Sequence, residues 1–320
     1  MINTNDKIYI AGHNGMVGSA IIRRLEKLKY SNIIVKSKSE LDLLSQNETY
    51  DFLCSEKPNY VIIAAAKVGG IYANNTYPAD FIYQNLMIES NLIHGSYLAA
   101  VKRLLFLGSS CIYPKYSEQP IKESFLLSGE LEQTNEPYAI AKIAGIKICE
   151  SYNRQYNTDY RSLMPTNLYG PNDNFDAKSS HVIPALIRKF HKSKINKESS
   201  VEVWGSGNQL REFLYIDDMA DAAVYFLNLD KKKIDNVVDS SMSHINIGTG
   251  LEISIRDISE LIKSVVGFSG QIVFNNEMPE GTYRKSLDVS KAEKLGWKYR
   301  HRLRESIEKT YSWFLENQKH

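Results

Sequence analysis

The chain has 320 residues, of which 24% are charged and 43% hydrophobic, and its formal net charge is +2. This length suits one large α/β unit or two closely packed domains, with the composition of ordinary soluble globular proteins. A net charge so close to zero argues against nucleic acid or a membrane surface as a partner. The apolar runs, such as residues 61–66, are too short to cross a bilayer, and no signal peptide is expected.

Three cysteines bear on the cellular compartment. Cys54, Cys111 and Cys149 are widely spaced and form no CxxC pair. Such spacing is typical of reduced thiols, so we expect a cytoplasmic protein.

Strands and helices alternate along the first half of the chain. Short apolar runs predict strands, and apolar residues at helical spacing predict helices between them. The predicted strands are residues 7–11, 33–35, 60–64, 104–107 and 161–164, and the predicted helices are residues 15–28, 45–56, 79–101 and 137–156. Because crossover helices join parallel strands, we expect the α/β class, with a Rossmann-type doubly wound parallel sheet covered on both faces.

Beyond Gly170 the alternation loosens. We predict surface loops at 193–200 and 230–243, strands at 201–203, 244–247 and 272–274, and helices at 182–190, 254–266 and 303–317. We expect residues 1–170 to form a dinucleotide-binding Rossmann domain. Residues 171–320 would mainly form a smaller α/β lobe for the substrate, which closes over the carboxyl edge of the sheet, with some segments returning to the first domain.

A glycine cluster follows the first strand and begins the first helix. It reads Gly12-His13-Asn14-Gly15-Met16-Val17-Gly18. Glycines there permit a tight turn and a close approach of the backbone to a pyrophosphate, and the helix N-terminus offers free N–H groups. A turn of this kind can also be purely structural, but its place after the first strand favours a dinucleotide site.

The end of the second strand bears on the choice of cofactor. Lys36 and Lys38 lie there, and no carboxylate occurs before Glu40. A solvated basic turn would look the same, but two lysines without an acid would attract a 2′-phosphate. The sequence therefore favours NADP over NAD.

A tyrosine and a lysine mark the candidate catalytic centre. Tyr138 and Lys142 are four residues apart, on one face of the helix predicted at 137–156. An ammonium and the nicotinamide charge would lower the tyrosine pKa from about 10, which would allow proton exchange with a carbonyl oxygen. Ser109, after the strand at 104–107, can donate to the same oxygen. Such pairs also arise by chance among 20 tyrosines, but the glycine turn and the serine favour catalysis.

A thiol and an imidazole suggest a second kind of proton transfer. Cys111 follows Ser109 by two residues, so both side chains would point the same way if the segment is extended. Taken alone, Cys111 is more typical of a small buried hydrophobe, and His181, before a predicted helix, of a surface residue. Together they would be able to remove and return protons at carbons that flank a ketone.

Two further side chains suggest a bound substrate. Trp204 and Arg211 precede a predicted turn at Asp217-Asp218. Arginine can hold a diphosphate and an aromatic ring can line a sugar or a base, although a core role for Trp204 is equally expected. No GxSxG segment and no ligand-spaced histidines occur, so neither a nucleophilic triad nor a metal site is predicted.

These motifs together resemble the extended short-chain dehydrogenase/reductase superfamily, and within it the epimerase-reductases of GDP-4-keto-6-deoxy-D-mannose. The resemblance covers almost the whole chain. It is carried by AGHNGMVGSA (11–20), GSSCIYP (108–114), NEPYAIAKIAGIK (135–147), SYNRQYNTDYRSLMPTNLYGPNDNF (151–175), SHVIPAL (180–186), VWGSG (203–207), REFLYIDDMA (211–220) and INIGTG (245–250).

The resemblance implies roles for particular residues. Ser109, Tyr138 and Lys142 would form the reductase triad, and Cys111 and His181 would invert C3 and C5. The implied NADP contacts are Gly12, His13, Asn14, Gly15, Met16, Val17, Gly18, Lys36, Lys38, Leu41, Lys142, Pro165, Asn167, Leu168 and His181. The implied GDP-sugar contacts are Lys189, Trp204, Arg211 and Lys285. A homodimer built on the helices at 79–101 and 137–156 is also implied.

The implied activity is NADPH-dependent 3,5-epimerisation and 4-reduction of GDP-4-keto-6-deoxy-D-mannose to GDP-L-fucose. The same chemistry on a related GDP-4-keto sugar, such as a heptose, is the main alternative. A reductase or an epimerase alone, and a non-catalytic NADP-binding sensor, are further ones. The joint presence of Cys111, His181 and the Tyr138/Lys142 pair argues against these last three.

Overall fold

The computed structural model describes residues 2–177, 179–277 and 282–317, without the side chains of residues 71 and 72. The strands are β1 (Ile8–Ala11), β2 (Ile33–Ile34), β3 (Tyr60–Ile63), β4 (Arg103–Leu107), β5 (Tyr160–Pro165), β6 (Asn167–Tyr169), β7 (Ser200–Trp204), β8 (Leu210–Tyr215), β9 (Ile245–Ile247), β10 (Glu252–Ser254), β11 (Gln271–Asn275) and β12 (Arg284–Lys285).

The α-helices are α1 (Met16–Lys27), α2 (Gln46–Glu56), α3 (Ile71–Thr76), α4 (Pro78–Leu98), α5 (Glu136–Tyr156), α6 (Val182–Ile195), α7 (Ile216–Asn228), α8 (Lys231–Asp235), α9 (Ile255–Val266), α10 (Ser290–Lys294) and α11 (Leu303–Asn317). Two short 3-10 helices span Ser110–Ile112 and Glu123–Phe125. Within the described residues, no helix has the length and apolar character needed to cross a membrane.

A six-stranded parallel sheet forms the centre of the molecule, in the order β2-β1-β3-β4-β5-β9. Its strands are buried on both faces, apart from the half-buried edge strand β2. In β1, Ile8 and Ile10 pack into one cluster with α1 and α7, whereas Tyr9 and Ala11 pack into another with α2, α4 and α5. The expected doubly wound sheet is therefore confirmed. Since the connections change direction at β1 and β3, the carboxyl ends of these strands border the crevice in which such sheets bind ligands.

A second group of strands lies beyond the central sheet. β8 pairs with β10, with β12 and, through its second half, with β6, while β7 pairs with β11. This arrangement sets Arg211 beside Lys285. The division of the chain at residue 170 stays a prediction.

The strand predicted at 244–247 forms β9 and extends the central sheet, because Ile245 and Ile247 are buried beside β5. Several local predictions are wrong. α6 continues into the loop expected at 193–200, and α8 forms inside the loop expected at 230–243. Asp217 and Asp218 begin α7 instead of forming a turn, since carboxylates stabilise a helix N-terminus. The other predicted strands and helices are confirmed within three residues at each end, apart from the helix at 182–190, which α6 extends to Ile195.

Candidate active site

The glycine turn after β1 is tightly packed against its neighbours. Gly12 has a φ of +86°, and a Cβ there would lie 2.5 Å from the backbone nitrogen of Ala65. A Cβ on Gly18 would collide with the Gly12 carbonyl. Gly15 begins α1 without a side-chain cap, and the first turn of α1 has no acidic residue. The backbone N–H groups and the positive end of the helix dipole therefore suit a pyrophosphate.

The side chains of this turn differ in their surroundings. His13 is half-buried and Asn14 is exposed, whereas Met16 and Val17 are half-buried and pack against the hydrophobic core. The turn therefore presents the side chains of His13 and Asn14 as well as backbone donors.

A mixed group of charges lies beyond β2. Lys36 is half-buried and Lys38 is exposed. The Lys36 ammonium lies 3.7 Å from a carboxylate oxygen of Glu40. The hydroxyl and backbone N–H of Ser37 donate to the same side chain and, with Lys36, lower the Glu40 pKa. The basic segment thus contains its own carboxylate, and Leu41 after it is buried.

The end of β5 completes the cofactor edge. Pro165 closes β5 and is buried, and Asn167 and Leu168 begin β6 half-buried. The Asn167 amide donates to the backbone oxygen of Glu212 at 2.8 Å. This bond ties the predicted cofactor edge to β8.

A 3-10 helix holds the serine and the thiol. Residues 110–112 are helical, so the condition under which Ser109 and Cys111 would point the same way in an extended segment is not met. Ser109 caps this helix, and its hydroxyl accepts a hydrogen bond from the Cys111 backbone at 3.4 Å. Burial raises the pKa of the Cys111 thiol, and Lys285 and the Ser109 hydroxyl oppose that rise. Cys111 is therefore a protonated thiol at neutral pH.

Tyr138 and Lys142 lie one turn apart on α5. The Lys142 ammonium lies 5.8 Å from the centre of the Tyr138 ring and 2.8 Å from a carboxylate oxygen of Glu89 on α4. Burial raises the Tyr138 pKa well above 10, and the Cys111 thiolate, which forms only at alkaline pH, and the Glu89 carboxylate add to the rise. The protein's own groups therefore do not lower the Tyr138 pKa as expected. The effect of burial is larger, and the Glu89 carboxylate offsets the charge of the Lys142 ammonium.

His181 forms the N-cap of α6 and is exposed. The protein around it and the Lys285 ammonium lower its pKa, so the imidazole is neutral at pH 7. Lys285 also lines one open cleft together with Cys111. Electrostatically, Lys285 thus acts on both groups that were predicted to exchange protons at carbon.

Two cations lie side by side on neighbouring strands. Arg211 in β8 is directly opposite Lys285 in β12. Burial lowers the pKa of both groups, and the charge of Arg211 contributes to the shift of Lys285. Adjacent half-buried cations favour a multiply charged anion such as a diphosphate.

Trp204 and Lys189 form a more exposed pair. The Lys189 ammonium lies 5.3 Å from the centre of a Trp204 ring, and the tryptophan is 52% exposed. A core role for Trp204 is therefore excluded. An exposed ring beside a cation suits stacking against a base or a sugar.

Comparison with known proteins places this site in a family. Residues 8–248 match the model of the NAD dependent epimerase/dehydratase family. The chain belongs to the NAD dependent epimerase/dehydratase family. It is 55% identical to the GDP-L-fucose synthase of Escherichia coli (strain K12) over 315 residues, which cover 98% of each chain.

Two solved structures are close in shape to this chain. A GDP-D-glycero-L-gluco-heptose synthase from Campylobacter jejuni, solved in the presence of NADPH, superposes with a TM-score of 0.93 at 41% identity, over 98% of this chain and 100% of the other. A GDP-L-fucose synthetase from Naegleria fowleri bound to NADP gives 0.88 at 27% identity, over 99% and 96%. The chain therefore spans nearly the full length of both.

Sequence reasoning missed two buried carboxylates in this member of the epimerase/dehydratase family. Glu89 shares the buried face of α4 with Asn85, Leu92 and Ser96. Polar residues at helical spacing on an apolar face were the available signal. Glu212 accepts hydrogen bonds from the backbones of Thr249, Gly250 and Leu287. Its partners are distant in the chain, so no local pattern revealed it.

Proposed function

We propose that the chain catalyses NADPH-dependent 3,5-epimerisation and 4-reduction of GDP-4-keto-6-deoxy-D-mannose, which yields GDP-L-fucose. The observation that carries this proposal is the adjacency of two proton-transfer systems. The Tyr138/Lys142 pair serves carbonyl reduction, and Cys111, which lies close enough to Tyr138 to influence its pKa, serves chemistry at carbon. The E. coli relative named for GDP-L-fucose synthesis supports the same substrate.

The cofactor is NADP. When bound, it would supply the hydride for reduction at C4 of the sugar. The glycine turn and the uncapped N-terminus of α1 would hold the pyrophosphate, because its backbone donors have no capping side chain. Lys36 and Lys38 would contact the 2′-phosphate, and Lys142 the nicotinamide ribose.

Cys111 and His181 would transfer the protons at C3 and C5. The C4 carbonyl acidifies the C–H bonds on both neighbouring carbons. Cys111 and His181 would exchange protons with these carbons from opposite faces, one group removing a proton and the other returning one, and solvent would restore both groups before the next carbon reacts. Ser109 and Tyr138 would donate hydrogen bonds to the enolate oxygen that develops in between.

Tyr138 would supply the proton for reduction at C4. Its hydroxyl gives a proton to the C4 oxygen as the carbonyl carbon accepts the hydride, and the C=O double bond becomes C–O–H. The Lys142 ammonium stabilises the phenolate that remains, until solvent returns the proton.

Replacing Cys111 by serine tests the epimerisation step. We expect Cys111→Ser to abolish deuterium entry at C3 and C5 from D₂O, while NADPH binds with unchanged affinity. Cys54→Ser, an exposed thiol on α2, is the matched control and should retain full exchange. Proton NMR of the sugar measures exchange and identifies the product. Undiminished exchange in Cys111→Ser would contradict the assignment.

A related heptose substrate is the second candidate. The structural match to the Campylobacter heptose synthase favours it. Incubation with NADPH and each GDP-4-keto sugar in turn separates the two, since the preferred substrate has the higher kcat/KM. Failure to oxidise NADPH with either sugar would favour a sensor instead.

A homodimer through α4 and α5 is part of the proposal. The two helices pack on each other and expose a partly apolar surface, which includes Tyr83, Leu98, Ile140 and Tyr156. Light scattering should show a dimer that Ile140→Glu weakens, whereas Ile195→Glu on α6 leaves it intact. A wild-type monomer would refute this part. The three free cysteines favour a cytoplasmic location.

A further inference from the structure

One buried ion pair lies behind the reductase centre. The Lys142 ammonium is 2.8 Å from a carboxylate oxygen of Glu89, and the two side chains are 2% and 1% exposed. No other described group donates a hydrogen bond to either oxygen of Glu89. Burial raises the pKa of Glu89, and the Lys142 ammonium opposes that rise, so Lys142 is the group that stabilises the charged carboxylate.

The fold builds a specific space for this carboxylate. A Cβ on Gly145 of α5 would lie 2.8 Å from the second carboxylate oxygen of Glu89 and would collide with the ring of Phe106. The Lys142 ammonium lies 4.8 Å from the centre of that same ring. Glycine at 145 therefore lets α4 and α5 approach closely enough for the pair to form, and the aromatic ring limits the positions open to the ammonium.

The pair also sets the charge that Tyr138 experiences. An unpaired ammonium beside a phenol favours phenolate, which cannot act as an acid. The proposed reaction, however, requires Tyr138 to begin with its proton. The carboxylate of Glu89 cancels the ammonium charge and opposes ionisation of Tyr138.

Other charged or titratable groups also face this centre. Cys111, at the 3-10 helix, lies close enough to Tyr138 to influence its pKa, and Lys285 of β12 in turn influences the pKa of Cys111. Burial raises the pKa of the Cys149 thiol on α5, and the nearby negative charge of Glu89 adds to that rise. Behind Phe81, which meets Tyr138 edge-on, Lys67 and Asp80 form a pair of their own at 2.8 Å.

We propose that Glu89 is a positioning residue of the reductase centre, which fixes the Lys142 ammonium and keeps Tyr138 protonated until hydride transfer. This inference rests on the reduction proposed above. Glu89 touches neither substrate nor cofactor and acts through Lys142.

Glu89→Gln tests the proposal, because glutamine keeps the shape and an acceptor for the ammonium but removes the charge. We expect the alkaline limb of kcat/KM for NADPH oxidation to move to lower pH by about one unit. A purely structural role would lower the thermal midpoint and the overall rate without moving that limb. Glu150→Gln is the matched control, since Glu150 is equally buried on α5 and pairs with Lys147 at 2.7 Å.

A second readout needs neither substrate nor cofactor. The near-ultraviolet phenolate absorbance of each protein, minus that of the same protein carrying Tyr138→Phe, isolates one phenol among 20 tyrosines. After a pH jump, Tyr138 should ionise at lower pH in Glu89→Gln than in the wild type or in Glu150→Gln. Equal titration curves in folded proteins would overturn the proposal.

A further variant covers the case in which Glu89→Gln does not fold. Glu89→Asp withdraws the carboxylate by about 1.5 Å, one C–C bond, and should move the limb and the titration in the same direction by a smaller amount. If neither the alkaline limb of kcat/KM nor the Tyr138 titration moves in the folded Glu89→Asp variant, the inference is also overturned. If the wild type does not oxidise NADPH with either sugar, the proposed function fails, and the titration still decides the role of Glu89.

Discussion

Removal of the Glu212 carboxylate should destabilise the segments that it holds against β8, which lie at residues 249–250 and 287. In Glu212→Ala, three backbone N–H groups lose their acceptor, at distances of 2.6 Å (Thr249), 3.0 Å (Gly250) and 2.7 Å (Leu287). Leu287 is buried, so its unpaired N–H should cost about 2 kcal/mol. The N–H groups of Thr249 and Gly250 are more exposed and can hydrogen-bond to water instead, so each should cost about 0.5 kcal/mol. We therefore expect Glu212→Ala to lower the free energy of unfolding by about 3 kcal/mol.

Equilibrium unfolding in urea measures this loss. Glu260→Ala on the exposed face of α9 is the control, and its stability should change by less than about 0.5 kcal/mol. Hydrogen exchange should show loss of protection at Leu287. Because Lys285 is only two residues from Leu287, KM for the GDP-sugar should rise more than KM for NADPH. A loss below about 1 kcal/mol with unchanged exchange at Leu287 would refute the reasoning.

Three further changes test other parts of the molecule. Lys36→Ala should raise KM for NADPH about fivefold and leave that for NADH nearly unchanged, since it removes one contact to a 2′-phosphate; equal effects in steady-state kinetics would exclude that contact. Trp204→Ala should raise KM for the GDP-sugar about tenfold, whereas Trp204→Phe retains stacking. Burial raises the pKa of Asp173 to about 7, so the native state binds an extra proton between about pH 4 and 7, and stability falls as pH rises through that window. Asp173→Asn should remove this fall in thermal unfolding between pH 5 and 8.

The parts of the fold that depend on local pattern could be predicted from the sequence. The buried residues of β1 and the glycine turn after it are continuous in the chain, so periodicity and composition reveal them. β8 escaped prediction because Arg211 and Glu212 interrupt its apolar run. Glu212 is stable there only through backbone donors from distant segments.

The candidate site divides in the same way. Tyr138 and Lys142 share one helix, so their spacing places them together. The sequence does not reveal that Lys142 pairs with Glu89 of another helix, or that burial raises the Tyr138 pKa. Both depend on how α4 and α5 pack. The exposure of Trp204, likewise, is decided by the tertiary structure and not by the VWGSG segment.

The position of β9 constrains the order in which the chain can fold. On the side of β5 that faces away from β4, Leu163 and Pro165 pair with Ile245 and Ile247 of β9. During synthesis, the open side of β5 therefore stays unpaired until residue 247 has left the ribosome. A fragment that ends at residue 170 would expose this strand edge and tend to associate with other chains. The central sheet thus depends for its last strand on a segment about 75 residues beyond position 170 (245 minus 170), so a cut at that position cannot leave the sheet whole.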